Sequence, residues 1–341
     1  MKKVLVGISG GVDSSVSALL LKQEGYQVIG TTMKLYDDMQ TNDSKELCNK
    51  LGIDYVELDC KDEFRNCVIN YFINEYKLCN TPNPCIECNR KLKFGYLYKY
   101  ILENNIDYIA TGHYAKVEYS SKYNRYVLKK SNNIKKDQTY FLYTINKEIL
   151  PKLIFPLDRF NDKEEIRNIA KQNNLNTHSK SDSQDICFIS DGNYKKFLEE
   201  NSDIKESIGN IIFNGEVIGK HNGLYKYTIG QRKGLGIAYQ EPLYVIGFNK
   251  EKNELIVGLE SDLYVSEFNV CKYNLLLIDD LLEPMEVKVK TRYKSIESDA
   301  IISKVDNYIN VKFKTPQKGV TSGQSAVFYI DDIVVGGGII V

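Results

Sequence analysis

KVLVGISGGVDSSVSALLLKQ, residues 3–23, decides the fold, because it carries an apolar strand through a glycine loop into a helix. Residues 3–8 form a short apolar run that ends at glycines, as expected for a buried strand of a parallel sheet. Residues 16–23 include the run ALLL and end just before Gly25, which predicts a helix. The loop between them, residues 9–15, therefore lies where a strand meets a helix N-terminus.

The same alternation continues along the first part of the chain. Strands are predicted at residues 27–32, 55–58 and 108–110, with helices between them at 44–51, 63–76 and 92–103. Strands that alternate with helices indicate an α/β fold, with a parallel sheet covered on both faces. A hairpin is then predicted over residues 117–130, and a helix over 162–173 with Asn161 or Asp162 as its N-cap.

The sequence changes character near residue 208, where short β-rich segments begin to alternate with Gly, Asn and Pro turns. This pattern predicts one or two small barrels. We therefore expect three domains: an α/β domain over residues 1–200, a small β-rich central domain over 201–257 and a C-terminal β-barrel over 258–341.

Composition places the chain among ordinary globular proteins, with 43% hydrophobic and 26% charged residues. No apolar run approaches the ~20 residues that a membrane-spanning helix needs, and the N-terminus lacks the pattern of a signal peptide. We expect a cytoplasmic protein without a membrane partner. In that reducing compartment the eight cysteines are expected to be free thiols, metal ligands or catalytic groups.

Charge is unevenly distributed, although the formal net charge is zero. Residues 81–140 hold 11 Lys and Arg against 5 acidic residues, whereas residues 251–286 hold 2 Lys against 9 acidic residues. Because the binding of a polyanion responds to the field at one face, the basic segment favours a nucleic-acid partner. Ordinary scatter of surface charge is the alternative.

The loop SGGVDSS, residues 9–15, has the features of a phosphate site. Its adjacent glycines let the backbone approach a ligand closely, and the following helix presents N–H groups and the positive end of its dipole. Asp13 is a candidate ligand for Mg²⁺. The Gly-Lys-Ser/Thr ending of a Walker A loop is absent. The motif instead resembles the PP-loop of ATP pyrophosphatases, which adenylate a carbonyl oxygen and release pyrophosphate.

Two cysteine segments carry the candidate sulfur chemistry. TPNPCIECNR, residues 81–90, leads into a basic helix, and Cys88 is predicted at the start of that helix beside Arg90 and Lys91. The helix dipole and the adjacent cations are expected to lower the pKa of the Cys88 thiol. A single Cys-x-x-Cys pair supplies too few ligands for a zinc ribbon. SQDICFI, residues 183–189, holds Cys187, which taken alone is a core residue.

Together these segments resemble the tRNA 2-thiouridylase family, which thiolates the wobble uridine of certain tRNAs. The similarity extends over essentially the whole chain, through ATGHYA at residues 110–115, KDQTY at 136–140 and HNGLYKYTIGQR at 221–232. It implies that ATP activates the uridine C2 oxygen as an adenylate. It also implies that Cys187 carries sulfur as a persulfide, received from a sulfur carrier protein or another persulfide donor. Cys88 would then form a disulfide with Cys187 and release the product.

The resemblance further implies which residues bind the two substrates. The ATP contacts would be Gly7, Ile8, Ser9, Gly10, Gly11, Val12, Asp13, Ser14, Met33 and Gly112. The tRNA contacts would be Asn83, Pro84, Cys85, His113, Lys136, Asp137, Gln138, Arg292, Tyr293 and Gln324. The target base is expected to leave its stack to reach the nucleotide. Burial in the core is the alternative for Met33 and His113.

Cys85 departs from the better-known members of the family, which carry Asp at this position. Either the role of that Asp is dispensable, or Cys85 serves different chemistry. Cys85, Cys88 and Cys187 are also a candidate set of three ligands for a [4Fe–4S] cluster, with one iron left open for a hydrosulfide. Of the two routes, we favour the persulfide.

Two other functions are compatible with parts of the sequence. A PP-loop ligase or amidotransferase, such as a tRNA lysidine synthetase, would use the ATP loop but neither Cys88 nor Cys187. A non-catalytic RNA-binding or cluster-carrying protein would have no need of the intact loop. Because the C-terminal half carries basic strands without a convincing nucleophile, we expect it to bind tRNA rather than to perform chemistry.

Overall fold

A five-stranded parallel sheet forms the N-terminal part of the computed structural model, which describes residues 1–179, 186–189 and 191–341. Its strands are β1 (Lys3–Gly7), β2 (Gln27–Lys34), β3 (Asp54–Asp59), β4 (Tyr108–Ala110) and, further along, β7 (Leu153–Ile154). Their spatial order is β3-β2-β1-β4-β7. The order reverses between β1 and β4, and ligands of open α/β sheets bind at the carboxyl ends of the strands beside such a point.

Helices connect these strands and cover the sheet. They are α1 (Val12–Gln23), α2 (Asn42–Leu51), α3 (Lys61–Phe64, Arg65–Ile69, Asn70–Lys77), α4 (Pro84–Cys88, Asn89–Tyr96, Leu97–Glu103), α5 (Lys163–Gln172) and α6 (Tyr194–Asn201). The middle segments of α3 and α4 are π-helical, a form that is frequent at functional sites. The N-cap of α5 is Asp162, which forms a capping box with Glu165.

A separate four-stranded sheet forms the central part of the chain. It contains β8 (Gly209–Phe213), β9 (Glu216–His221), β10 (Tyr244–Asn249) and β11 (Glu254–Gly258) in the order β10-β11-β8-β9. Ile211, Val245 and Leu255 are fully buried on it and form the centre of a small apolar core. Short 3₁₀ turns link the larger elements at Thr139–Phe141, Lys147–Lys152, Asn176–Ser179, Leu224–Lys226 and Glu260–Leu263.

The C-terminal part is a closed barrel of six strands. They are β12 (Tyr264–Leu275), β13 (Met285–Lys290), β14 (Ser298–Val305), β15 (Tyr308–Lys318), β16 (Ser325–Ile330) and β17 (Ile333–Ile340). The barrel closes because β12 pairs with β15 on one side and with β17 on the other. The hairpin of β5 (Ala115–Ser120) and β6 (Arg125–Lys130) extends this sheet, since Lys129 pairs with Ile333.

The predicted fold class is confirmed: a parallel-sheet domain precedes a small β-rich unit and a β-barrel. The hairpin and the Asp162 cap are confirmed as well. Within the described residues, no helix combines the length and the apolar character that crossing a bilayer requires.

Candidate active site

The loop between β1 and α1 has the geometry of a phosphate cradle. Gly10 adopts a φ of 75°, a left-handed conformation that favours glycine. The Ser14 hydroxyl accepts from the Ser9 amide at 3.1 Å and donates to the Gly11 carbonyl at 3.1 Å, which closes the turn. The first N–H groups of a helix have no intrahelical partner and bind anions readily. The loop therefore fits the phosphates of a nucleotide.

Gly112 packs directly against the start of α1. A Cβ at this position would lie 2.8 Å from the Ser14 amide nitrogen and 2.9 Å from the Asp13 carbonyl carbon. Backbone atoms at such distances leave no room for a side chain, so only glycine fits here. The segment after β4 thus forms one wall of the loop.

Asp13 is held by two donors at the start of α1. The Tyr114 hydroxyl donates to Oδ1 at 2.8 Å, and the Lys163 ammonium donates to Oδ2 at 2.7 Å. Both carboxylate oxygens are therefore engaged, and Lys163 balances the charge. This arrangement fits an ion pair better than a ligand for the Mg²⁺ predicted at Asp13.

His113 connects the loop region with α4. Its Nδ1 lies 2.8 Å from the Thr111 hydroxyl, and its ring lies beside Phe94 of α4 and Phe155, with centroids 5.9 and 6.2 Å apart. Burial, assisted by the nearby Lys93 ammonium, holds the pKa of His113 well below its usual value. The ring is therefore neutral near pH 7. Since Gly112 touches α1 and His113 faces α4, these two residues connect the loop of residues 9–15 to α4, the helix that bears Cys85 and Cys88.

The helix α4 begins earlier than the sequence indicated. Asn83 is its N-cap, Pro84 is its first residue, and Cys85 and Cys88 both lie in its first segment. The prediction that Cys88 starts the helix is wrong, and so is the lowered pKa expected for its thiol. Burial raises the pKa of Cys88, because desolvation penalises the thiolate more than the Lys93 ammonium favours it, and the neighbouring Cys85 thiol adds to the rise. Arg90 is instead paired with Glu87.

Cys187 lies close enough to Cys88 and Cys85 for their charges to interact. Protein atoms packed around the Cys187 sulfur desolvate it although the residue as a whole is exposed, and this desolvation and the two neighbouring thiols raise the pKa of Cys187 to about 11. The side chains of Cys85 and Cys187 are exposed, whereas Cys88 is buried. Phe188 anchors the Cys187 segment, since its ring packs on Phe72 and other aromatic side chains of the core. The structure therefore places the two thiols predicted to handle sulfur in one region.

Lys93 is a member of the site that sequence reasoning missed. It lies on the π-helical segment of α4, five residues after Cys88, and π-helices hydrogen-bond residues five apart. Its ammonium opposes the rise in pKa at Cys85, Cys88 and Cys187. The KLKF pattern alone offers no signal that distinguishes Lys93 from Lys91, because the difference depends on which helix face meets the Cys187 segment.

The predicted iron–sulfur ligand set is not assembled in this structure. Among the residues that the structure describes, no three Cys, His, Asp or Glu side chains converge closely enough to hold a metal ion. Cys85, Cys88 and Cys187 all belong to that described set. Ser183, Gln184 and Asp185 of the predicted SQDICFI motif lie outside the described residues.

The predicted tRNA residues of the 136–138 segment occupy different environments. Asp137 is buried, where its carboxylate accepts from the Ser131 amide at 3.2 Å and from the Thr139 hydroxyl at 2.6 Å. Burial raises the pKa of Asp137. The Gln138 side chain accepts from the Tyr114 amide at 2.9 Å. Both residues therefore brace the segment that carries Lys136.

Four other predicted site residues are half-buried: Met33, Arg292, Tyr293 and Gln324. Met33 packs at the end of β2 against the main core. The Tyr293 ring lies 4.5 Å from that of Phe141. Arg292 donates to the Ile229 carbonyl at 3.2 Å, and the Gln324 amide donates to the Thr81 carbonyl at 2.7 Å.

Comparisons with known proteins match the chain over nearly its whole length. Residues 2–191, 195–259 and 261–340 match family models described as the tRNA methyl transferase HUP domain, the tRNA methyl transferase PRC-barrel domain and the aminomethyltransferase beta-barrel domain. The chain is 47% identical to the tRNA-specific 2-thiouridylase MnmA of Acetivibrio thermocellus, with 99% of each covered. It is 45% identical to the protein of the same name from Caldicellulosiruptor saccharolyticus and 44% identical to that from Clostridioides difficile. Each of these two matches covers 99% of this chain and 98% of the relative. The chain therefore belongs to the tRNA-specific 2-thiouridylase family.

Proposed function

We propose that this protein is an ATP-dependent sulfurtransferase that replaces the C2 oxygen of the wobble uridine in tRNA with sulfur. The observation that carries the proposal is the joint placement of Gly112 and His113. Gly112 abuts the start of α1 within the phosphate loop, and His113 faces the helix that bears Cys85 and Cys88. A substrate bound here meets the nucleotide and the thiols in one cleft.

The loop of residues 9–15 binds the pyrophosphate part of ATP. Backbone N–H groups at the start of α1 supply the donors, and Gly10 and Gly112 keep side chains out of the cradle. Attack of the uridine C2 oxygen on the α-phosphate releases pyrophosphate and leaves an adenylate. The oxygen then departs with AMP, a far better leaving group than the original carbonyl oxygen.

The thiols complete the exchange in two steps. A persulfide on Cys187 attacks C2, which expels AMP and links the tRNA to Cys187 through two sulfur atoms. The Cys88 thiolate then attacks the sulfur of Cys187, which releases 2-thiouridine and leaves a Cys88–Cys187 disulfide. An external thiol reduces that disulfide, and a persulfide donor such as a sulfur carrier protein reloads Cys187. Lys93 stabilises the anionic sulfur in each step.

The tRNA approaches across the α/β domain and the barrel. Residues 83–85 at the start of α4 meet the extruded base, because Cys85 is exposed there. Lys136 and Lys294 are candidates for phosphate contacts, and the Lys294 side chain is exposed. The neutral His113 ring offers an acceptor or donor to the base without adding charge.

The purified protein tests this proposal when it is incubated with ATP, unmodified tRNA and a persulfide donor. Mass spectrometry of the nucleosides should show 2-thiouridine with the unmodified protein and none with Cys187→Ser. A ligase or amidotransferase would keep its activity in Cys187→Ser, and a methyltransferase would add a methyl group instead of exchanging oxygen for sulfur. Unaltered 2-thiouridine in tRNA from a strain without this protein would refute the proposal.

A further inference from the structure

Thr81, four residues before Cys85, is held by the barrel. Its amide donates to the Ser322 carbonyl at 2.9 Å, and its carbonyl accepts from the Gln324 side chain at 2.7 Å. Gly323 lies between these two contacts with a φ of 86°, and a Cβ there would lie 2.8 Å from the Thr81 nitrogen. The loop between β15 and β16 therefore docks on Thr81 with no space for adjustment.

That loop is itself fixed. The Gly323 amide donates to the Ile340 carbonyl at 3.0 Å, and the Ile340 amide donates to the Gln324 carbonyl at 2.8 Å. Arg292 then ties the loop to the central part of the chain, since its Nη2 donates to the Thr321 hydroxyl at 2.5 Å and to the Ile229 carbonyl at 3.2 Å. Thr81 thus sits at a junction of all three parts of the molecule.

The segment from Thr81 to α4 is stiff. Pro82 and Pro84 fix their own φ angles and restrict the residues before them, Thr81 and Asn83. Both prolines are buried. A displacement of Thr81 is therefore passed on to the helix start that bears Cys85 instead of being absorbed by the loop.

We propose that Gln324 and Arg292 are positioning residues, which hold Thr81 so that the barrel sets the placement of Cys85 and Cys88. This assignment rests on the proposed function of those thiols. The Arg292 guanidinium is half-buried and bonded to two protein oxygens, which is a poor arrangement for capturing a phosphate. Lys294, two residues later, is the exposed cation of this turn.

Thiol accessibility in the free protein tests the proposal without ATP or tRNA. Gln324→Met keeps the side-chain length but removes the donor to Thr81, and Arg292→Lys keeps the charge but loses the paired donors. Alkylation of Cys88, followed by mass spectrometry, should accelerate by about fivefold in both variants, because a lost hydrogen bond lets the helix start open more often. Lys294→Ala is the control and should leave this rate unchanged.

A charge control completes the test. Gln324→Met and Arg292→Lys leave the charge of the protein unchanged and should keep the salt dependence of tRNA binding, whereas Lys294→Ala removes one cation and should reduce the slope by about one. Unchanged Cys88 alkylation in both positioning variants would overturn the proposal, and so would an equal acceleration in Lys294→Ala. Because the alkylation assay needs no sulfur transfer, a failure of the proposed function would leave its result intact.

Discussion

Lys163 donates a 2.7 Å hydrogen bond to Oδ2 of Asp13, and the pair joins α5 to the start of α1. The side chains of Asp13 and Lys163 are 28% and 12% exposed, so solvent screens the pair only partly. Tyr114 completes the arrangement from the segment after β4. The carboxylate predicted to bind Mg²⁺ thus accepts from two protein donors in this structure, at a helix N-terminus where negative charge is favoured.

Removing the Lys163 charge should weaken both the fold and nucleotide binding. Lys163→Met is expected to lower the free energy of unfolding by about 1–3 kcal/mol, below the cost for a fully buried pair. The unbalanced Asp13 carboxylate should also lower ATP affinity by about tenfold, through repulsion of the phosphates. Denaturant titration and equilibrium dialysis with ATP measure the two effects. Lys171→Met, at an exposed position of the same helix, is the control.

A second substitution at Asp13 isolates the interaction. The double variant with Asp13→Asn and Lys163→Met should recover much of the lost ATP affinity, because neither charge is then left alone. Affinity losses in the double variant equal to the sum of the two single losses would show that the residues act independently.

Gly112→Ala should exclude ATP by closing the cradle. The added methyl group would lie 2.8 Å from the Ser14 nitrogen, so either the loop or β4 must shift. We expect a loss of about 1–3 kcal/mol in unfolding free energy and at least about a tenfold loss of ATP affinity. Gly247→Ala is the control, since its nearest neighbour would be Ile256 at 3.9 Å. Normal ATP binding by Gly112→Ala would place the nucleotide elsewhere.

The fold was predictable because its signals are local. The apolar run of residues 3–8, the glycine loop and the β-rich segments after residue 208 each report their own structure. The true start of α4 also had a local signal, since Asn83 and Pro84 are a favoured N-cap and first helical residue. The prediction placed the start near Arg90 because it followed the basic residues instead.

The missed features depend on tertiary contacts. No pattern in the sequence joins the hairpin at Lys129 to the barrel strand at Ile333. The burial of Asp137 and the docking of Gln324 on Thr81 likewise need residues far apart in the chain. Thiol pKa values depend on the balance between desolvation and charge, and for Cys88 the first outweighs the second. That balance is invisible before the packing is known.

Lys93 should control the reactivity of the Cys187 thiol. The pKa of Cys187 is raised to about 11, so the fraction of reactive thiolate increases with pH through the range from 7 to 10. Lys93→Met removes the opposing cation, which raises that pKa further and should slow alkylation at pH 8 by about threefold. Lys93→Arg should restore the rate. The pH profile of Cys187 alkylation in the free protein is the measurement.

The control for this effect is Lys91→Met, an exposed position of the same helix. It should leave the Cys187 profile unchanged, because Lys93 is the cation that acts most strongly on the thiol. Equal slowing in the Lys91 and Lys93 variants would attribute the effect to the general charge of the helix. An unchanged profile in Lys93→Met would remove Lys93 from the sulfur site.

Cys85→Asp distinguishes the two sulfur routes. Cys85 is the second residue of α4, where a carboxylate interacts well with the helix dipole, so the variant should gain about 0.5 kcal/mol in unfolding free energy. On the persulfide route Cys85 is not a redox partner, and 2-thiouridine formation by Cys85→Asp should stay within about twofold of the parent. Cys85→Ala shows whether any change comes from the lost thiol or from the added charge.

Protein purified without oxygen should hold no iron. Iron in the parent, with activity lost in both Cys85 variants, would instead establish the [4Fe–4S] route, because that route needs a third thiolate beside Cys88 and Cys187.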